Sequence, residues 1–164
     1  MNQIKNIDLS FIKKEYFKTN LNDYLKIIFT LDLNIRGILL FGSVAIGKAT
    51  YNDDYISDID LIIVCDNLPN NALERRRMII NLTKSVTSGI QDIWWTPREL
   101  EKNVDSKFYL ILDAFDEGII LYDPEGFLEK LKKKLFNDLE QKGVVKTEYY
   151  WRWPIKKFGD KIEF

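Results

Sequence analysis

Apolar runs of strand length alternate along the chain with stretches where apolar residues recur every three or four positions, and this pattern sets an order of elements. "LNDYLKIIFTLDL" places Tyr24, Ile27, Ile28 and Leu31 at helical spacing, and "GILLF" (Gly37 to Phe41) then reads as a buried strand. After a polar loop, "DIDLIIV" (Asp58 to Val64) is a second strand with acids at its start, closed by the turn formers "DNLPNN". A helix is expected from about Ala72 to Val86, and "GIQDIWW" (Gly89 to Trp95) is a third strand. Thr96, Pro97 and Glu99 then combine a cap, a proline suited to the first helical position and a capping box. Asp105 to Glu117 is helix-like and stops at Gly118, where a left-handed cap is expected before the short strand "IILY". Asp123-Pro124 opens an amphipathic helix with Leu128, Leu131, Leu135 and Leu139 on one stripe, ending near Gly143. In the tail "TEYYWRWPIKKFGDKIEF" the last seven residues resemble a turn and a short edge strand. The fold class implied is α/β (α+β), a short mixed sheet flanked by helices. One domain spans residues 1–164, with a core at about 20–123 and a C-terminal helix and aromatic tail at 124–164.

Composition narrows the chemistry. A chain of 164 residues with 46% hydrophobic and 13% aromatic residues can close a core without disulfides or a structural metal. The 24 basic and 25 acidic residues nearly cancel, so no global field recommends nucleic acid or an anionic membrane as partner. Cys65 is the sole cysteine, which suits a reducing compartment, and no run approaches the roughly 18 apolar residues of a membrane span. The N-terminus breaks its apolar residues with charges too often for a signal peptide, and a cytoplasmic protein is expected. With no histidine, Ser-His-Asp hydrolysis and the usual histidine-based zinc sites are excluded. Carboxylates, hydroxyls, lysines or backbone must carry any chemistry.

The loop "GSVAIGKAT" (Gly42 to Thr50) follows the first strand and admits two readings. Gly42-x-x-x-x-Gly47-Lys48 fits a P-loop, but Ala49 stands where a hydroxyl should hold a metal, and "ATYNDDYISD" is too short for the helical crossover to a parallel strand. The alternative pairs Gly42-Ser43 with "SDIDLIIV". Residues i and i+2 of a strand share a face, so Asp58 and Asp60 project together while Ile59, Leu61 and Ile63 face the other way. Two such charges repel unless a cation sits between them, and oxygen ligands favour Mg²⁺ bridged to a phosphate-bearing substrate. A Gly-Ser turn lets backbone approach phosphate oxygens, with Ser43 as a further donor.

"LLFGSVAIG" followed by "SDIDLIIV" resembles the minimal nucleotidyltransferases of the DNA polymerase β-like superfamily, and the resemblance extends through "IQDIWWTPREL" and "DEGIILYD". It implies transfer of a nucleoside monophosphate, AMP from ATP, to an acceptor hydroxyl with release of pyrophosphate, on Mg²⁺ held by three carboxylates. Gly42 and Ser43 would hold phosphates, and Asp58 and Asp60 metal. Relatives often carry an arginine at the place of Ile46, and Lys48 would substitute for it as a triphosphate contact.

The third acid is expected at Asp92, because Ile93 and Trp95 then share the core face while Asp92 turns toward the other acids. In many relatives the acid lies five residues before the Thr of the "TP" turn, which here is Gln91; in that register the third ligand is missing and the chain is a degenerate, nucleotide-binding module. Fourteen residues separate Ser43 from Asp58, more than is usual in such domains, and the insertion is assigned to Tyr51–Tyr55. Asp53 and Asp54 then belong to a solvated loop. Arg75 to Arg77 read as a solvated helix face, Trp94 as a pocket residue and Trp95 as core. Some small domains of this kind are antitoxins that adenylylate a HEPN-type toxin, and a protein acceptor is therefore expected. Aminoglycoside-modifying relatives carry an extra helical domain for which the residues after Asp123 leave little room.

Overall fold

The computed structural model describes residues 7–84, 89–155, 157 and 159. Helix α1 (Glu15–Thr30) leads into β1 (Ile35–Phe41), a single turn α2 (Gly42–Ala45), β2 (Ile59–Cys65), α3 (Ala72–Thr83) and β3 (Ile90–Trp95). Helices α4 (Pro97–Asp105) and α5 (Tyr109–Glu117) follow, then β4 (Ile119–Tyr122) and α6 (Phe127–Gln141). A two-stranded antiparallel hairpin, β5 (Val145–Lys146) with β6 (Trp151–Arg152), closes the described chain.

The four main strands run in the order β3-β2-β1-β4, with β1 antiparallel to both β2 and β4. Strand β2 is parallel to β3, and α3 supplies the crossover that a parallel pair needs. The pairs Phe41 with Asp60, Ile59 with Ile90 and Leu40 with Ile119 bring the end of β1 and the starts of β2, β3 and β4 to one end of the sheet. That end carries the Gly-Ser turn and the acids.

Both faces of the sheet are covered. Ile38, Leu40, Ile59, Leu61, Ile63 and Trp94 pack with Phe17, Leu21, Tyr24, Leu25 and Ile28 of α1. Leu39, Ile62 and Val64 pack with residues of α4, α5 and α6, among them Leu100, Phe115 and Leu128. Strand β2 is accordingly buried at every position except Asp60, which is half-buried. Gly37 inside β1 makes room for α6, since a side chain there would press against Leu128.

Most expected elements form, with differences at their ends. Pro97 opens α4 behind a complete Thr96–Glu99 capping box. The helix-like stretch 105–117 is broken at Ser106–Phe108, so that α4 ends at Asp105 and α5 starts at Tyr109. Gly118 is extended (φ −79°, ψ 165°) instead of left-handed. Its lack of a side chain serves packing: a Cβ would collide with the carbonyl oxygens of Ala114 and Leu40 where α5 turns straight into β4. Asp123 caps α6 through its carboxylate, which accepts from the N–H groups of Leu128 (3.2 Å) and Glu129 (3.0 Å). The β5–β6 hairpin was not foreseen, and the end expected for α3 near Val86 and the edge strand expected in "FGDKIEF" lie outside the described residues.

Because the atoms facing Gly118 are backbone, they cannot rotate away. Gly118→Ala is expected to cost about 1–3 kcal/mol of stability, read as a lowered midpoint in urea unfolding.

Candidate active site

Gly42 leaves β1 with φ +70°, in the left-handed region that a residue with a side chain seldom adopts. A Cβ at this position would also collide with the carboxylate of Asp60. Glycine therefore allows both the turn and the close approach of backbone to the acid. The turn is fixed by Ile46 N–H on the Gly42 carbonyl (3.3 Å) and Lys48 N–H on the Ser43 carbonyl (2.8 Å), and it is anchored by buried Val44. Ser43 is half-buried, while Lys48 is exposed.

Tyr51–Ile56 forms the small excursion assigned to the insertion. Tyr51 bridges Ile56, and the Asn52 side chain accepts from the N–H groups of Asp54 (3.1 Å) and Tyr55 (2.8 Å). Its base is closed by two bonds: Ser57 N–H to the Thr50 carbonyl (2.9 Å) and Thr50 N–H to the Ser57 hydroxyl (2.8 Å). Asp53 and Asp54 are exposed on the excursion, and Asp58 follows the latch directly.

Asp58 is exposed and Asp60 half-buried, two residues apart as β2 begins. Burial first, and then the charge of Asp58, holds the Asp60 carboxyl above the usual aspartate range. The two acids thus sense one another as a like-charge pair at the foot of the Gly-Ser turn.

Asp92 does not join them. In the parallel pairing Asp92 lies beside Leu61 and Gln91 beside Asp60, so Asp92 takes the α1 face together with Trp94. There its carboxylate accepts from the Tyr24 hydroxyl and from Trp94 Nε1 (2.7 Å). Burial, and next the Asp92 charge, pushes the Tyr24 phenol far above its ordinary value, so it remains a donor. The expectation of a third acid beside Asp58 and Asp60 is corrected: Gln91 occupies that place. Apolar Ile93 and Trp95 marked no single core face, because helices cover both sides of the sheet. Among the described residues no three acids or cysteines converge as a metal cluster.

Two other readings change. Trp94 is buried in the α1-side core and Trp95 is the half-buried one, the reverse of the expectation. Arg75 leaves the solvated face expected for Arg75 to Arg77 and makes a bidentate pair with Glu99 (2.9 and 3.0 Å). It also donates to the carbonyls of Pro69 (3.0 Å) and Trp94 (3.2 Å), tying α3 to the end of β3. Arg76 and Arg77 are exposed. Tyr24 and Arg75 gave no sequence signal beyond helical spacing, since each finds its acid far along the chain.

A family model for the nucleotidyltransferase domain matches residues 21–121. The chain belongs to this family and is a nucleotidyltransferase, as the Gly-Ser and Asp-x-Asp pattern implied. No curated protein matches it. Among solved structures, the chain is similar to one from the complex of a tri-AMPylated Shewanella oneidensis HEPN toxin with an MNT antitoxin, at 15% identity and TM-score 0.47, covering 76% of this chain and 87% of that one. It is also similar to a chain of a toxin–antitoxin complex with AMP-PNP, at 17% identity and TM-score 0.43, covering 79% and 88%.

Two expectations separate the acids. Asp92→Asn weakens a bond that helps hold α1 on β3 and should lower stability by about 1.5 kcal/mol, while leaving Mn²⁺ affinity in calorimetry unchanged. Asp60→Asn should do the opposite. With its pKa raised, folded Asp60 binds a proton more tightly than unfolded Asp60, so wild-type stability falls as pH rises from the ordinary value of 3.8 through the raised one. Asp60→Asn should therefore be the more stable protein at pH 7, lose that advantage below pH 3.8 in denaturation series, and lose Mn²⁺ affinity.

Proposed function

We propose that the chain transfers AMP from Mg²⁺-ATP to an acceptor oxygen on a partner protein, with pyrophosphate as the leaving product. One observation carries this reading: the Gly42-Ser43 turn lies against the Asp60 carboxylate so closely that only glycine fits. Phosphate donors and metal-binding acid are thereby set side by side.

The donor set fits a divalent cation. Asp58 and Asp60 offer hard oxygens, and their mutual repulsion, which holds Asp60 above its usual range, is what a cation relieves. When bound, Mg²⁺ would neutralise charge on the triphosphate and on the departing pyrophosphate. Asp58 and Asp60 would hold it. The Gly42 and Ser43 backbone N–H groups and the Ser43 hydroxyl would orient the β and γ phosphates, and exposed Lys48 would add positive charge.

A protein acceptor is supported by the surface opposite the N-terminal helix. A groove of about 540 Å³ runs between α5 and the β5–β6 hairpin, lined by Tyr109, Tyr149, Tyr150 and Trp151. Tyr149 is 83% exposed at its rim. A broad aromatic surface of this kind suits a protein more than a small molecule. The partner proposed is of the HEPN type that stands opposite the antitoxin in the complex named above. Gln91 favours a second reading, in which the chain binds nucleotide at the partner's side and transfers nothing.

Incubation with α-labelled ATP, Mg²⁺ and lysate separates the two. Transfer predicts labelled protein bands that Asp58→Asn and Asp60→Asn each reduce by about 10² to 10⁴. Tight Mg²⁺-ATP binding without label predicts the module. Chelation with EDTA should abolish both label and tight binding.

A further inference from the structure

The side chain beside Asp60 is a neutral amide, and this limits what the site can accept. Gln91 is exposed and lies in register with Asp60 on the neighbouring parallel strand, about 4.8 Å away across the ladder. Asp92, the nearest other acid in the chain, is held on the opposite face by Tyr24 and Trp94 and cannot swing across the strand. In the transfer reading, on which this inference rests, Asp58 and Asp60 are both committed to the cation. No third carboxylate joins them among the described residues.

Transfer to an alcohol requires removal of its proton as the oxygen attacks phosphorus. An amide takes up no proton near neutral pH, so Gln91 cannot perform that step. It can donate its N–H to an oxygen that is already negative, which a carboxylate in the same place would repel. We infer that the acceptor is an anionic oxygen, a carboxylate or a phosphate monoester, and that Gln91 is the positioning residue that receives it. The acceptor O⁻ forms a bond to the α phosphorus of ATP, the bond from that phosphorus to the bridging oxygen breaks, and pyrophosphate leaves with the electron pair. No proton need be moved by the protein. The product is a mixed anhydride when the acceptor is a carboxylate and a phosphoanhydride when it is a phosphate.

The linkage of the transferred label tests this. The full chain is incubated with α-labelled ATP, Mg²⁺ and lysate, and the labelled proteins are treated with neutral hydroxylamine or with mild acid. Release by hydroxylamine is the result for a carboxylate acceptor; release by acid alone is the result for a phosphate. Label resistant to both is a phosphodiester on a hydroxyl and overturns the inference while leaving nucleotidyl transfer intact. No label from the wild type, with label appearing in Gln91→Asp, also overturns it; no label from either protein overturns the transfer reading with it.

Gln91→Asp supplies the second arm. Labile label should fall at least tenfold and resistant label should rise, and the labelling rate, flat with pH from about 6.5 to 9 in the wild type, should rise with pH over the same range. Equilibrium dialysis with a non-hydrolysable ATP analogue gives a readout independent of activity. Bound Mn²⁺ should increase from about one to about two per chain when the third acid is installed. An unchanged linkage class, pH profile and Mn²⁺ count in Gln91→Asp would assign residue 91 to the surface alone and overturn its role.

Discussion

Strand β2 is buried on both sides, and that one constraint governs the orientation of every polar group near the site. A two-sided strand has no solvent face on which a misplaced carboxylate could rest, so its register against β1 and β3 is fixed by packing along its whole length. Asp60 is tolerated because it stands at the strand's open end, where the Gly42 turn leaves space. Asp92, one strand over and one residue further along, falls on the other face and finds Tyr24 and Trp94. The site's composition follows from strand pairing, not from which acids the chain contains.

The cost of the arrangement falls on the same residues that would carry function. Asp60 is half-buried beside a like charge, a position that weakens the folded protein at neutral pH and becomes favourable when a cation is present. The Tyr24–Asp92–Trp94 group is the reverse case. Its carboxylate has two donors and no call on a cation, so it contributes to holding α1 against β3.

Local signals were legible in the sequence and long-range ones were not. The Gly-Ser turn, the paired acids of β2, the capping box at Thr96 and the leucine stripe of α6 are each written within a few neighbouring residues, and each forms. The insertion could be placed because turn formers cluster between Tyr51 and Tyr55. The face of Asp92 could not be read from β3 alone. Alternation identifies faces only when one of them is wet, and here Ile93 and Trp94 are both apolar and point oppositely into two cores. Gly118 misled for a related reason: a glycine after a helix suggests backbone conformation, whereas here the requirement is space beside the carbonyls of Ala114 and Leu40. Arg75 was assigned to solvent because its acid, Glu99, lies across the β3 crossover.

The pair of bonds between Thr50 and Ser57 separates two roles within one loop. Everything inboard of that clasp is tied to the geometry of Gly42, Asp58 and Asp60; everything outboard hangs from it as an appendage. Segments of other lengths and compositions can therefore replace residues 51–56 with little entropic penalty. Natural variation in contacts around this mouth can accumulate there without disturbing the chemistry beneath, and a foreign recognition peptide could be grafted at the same point.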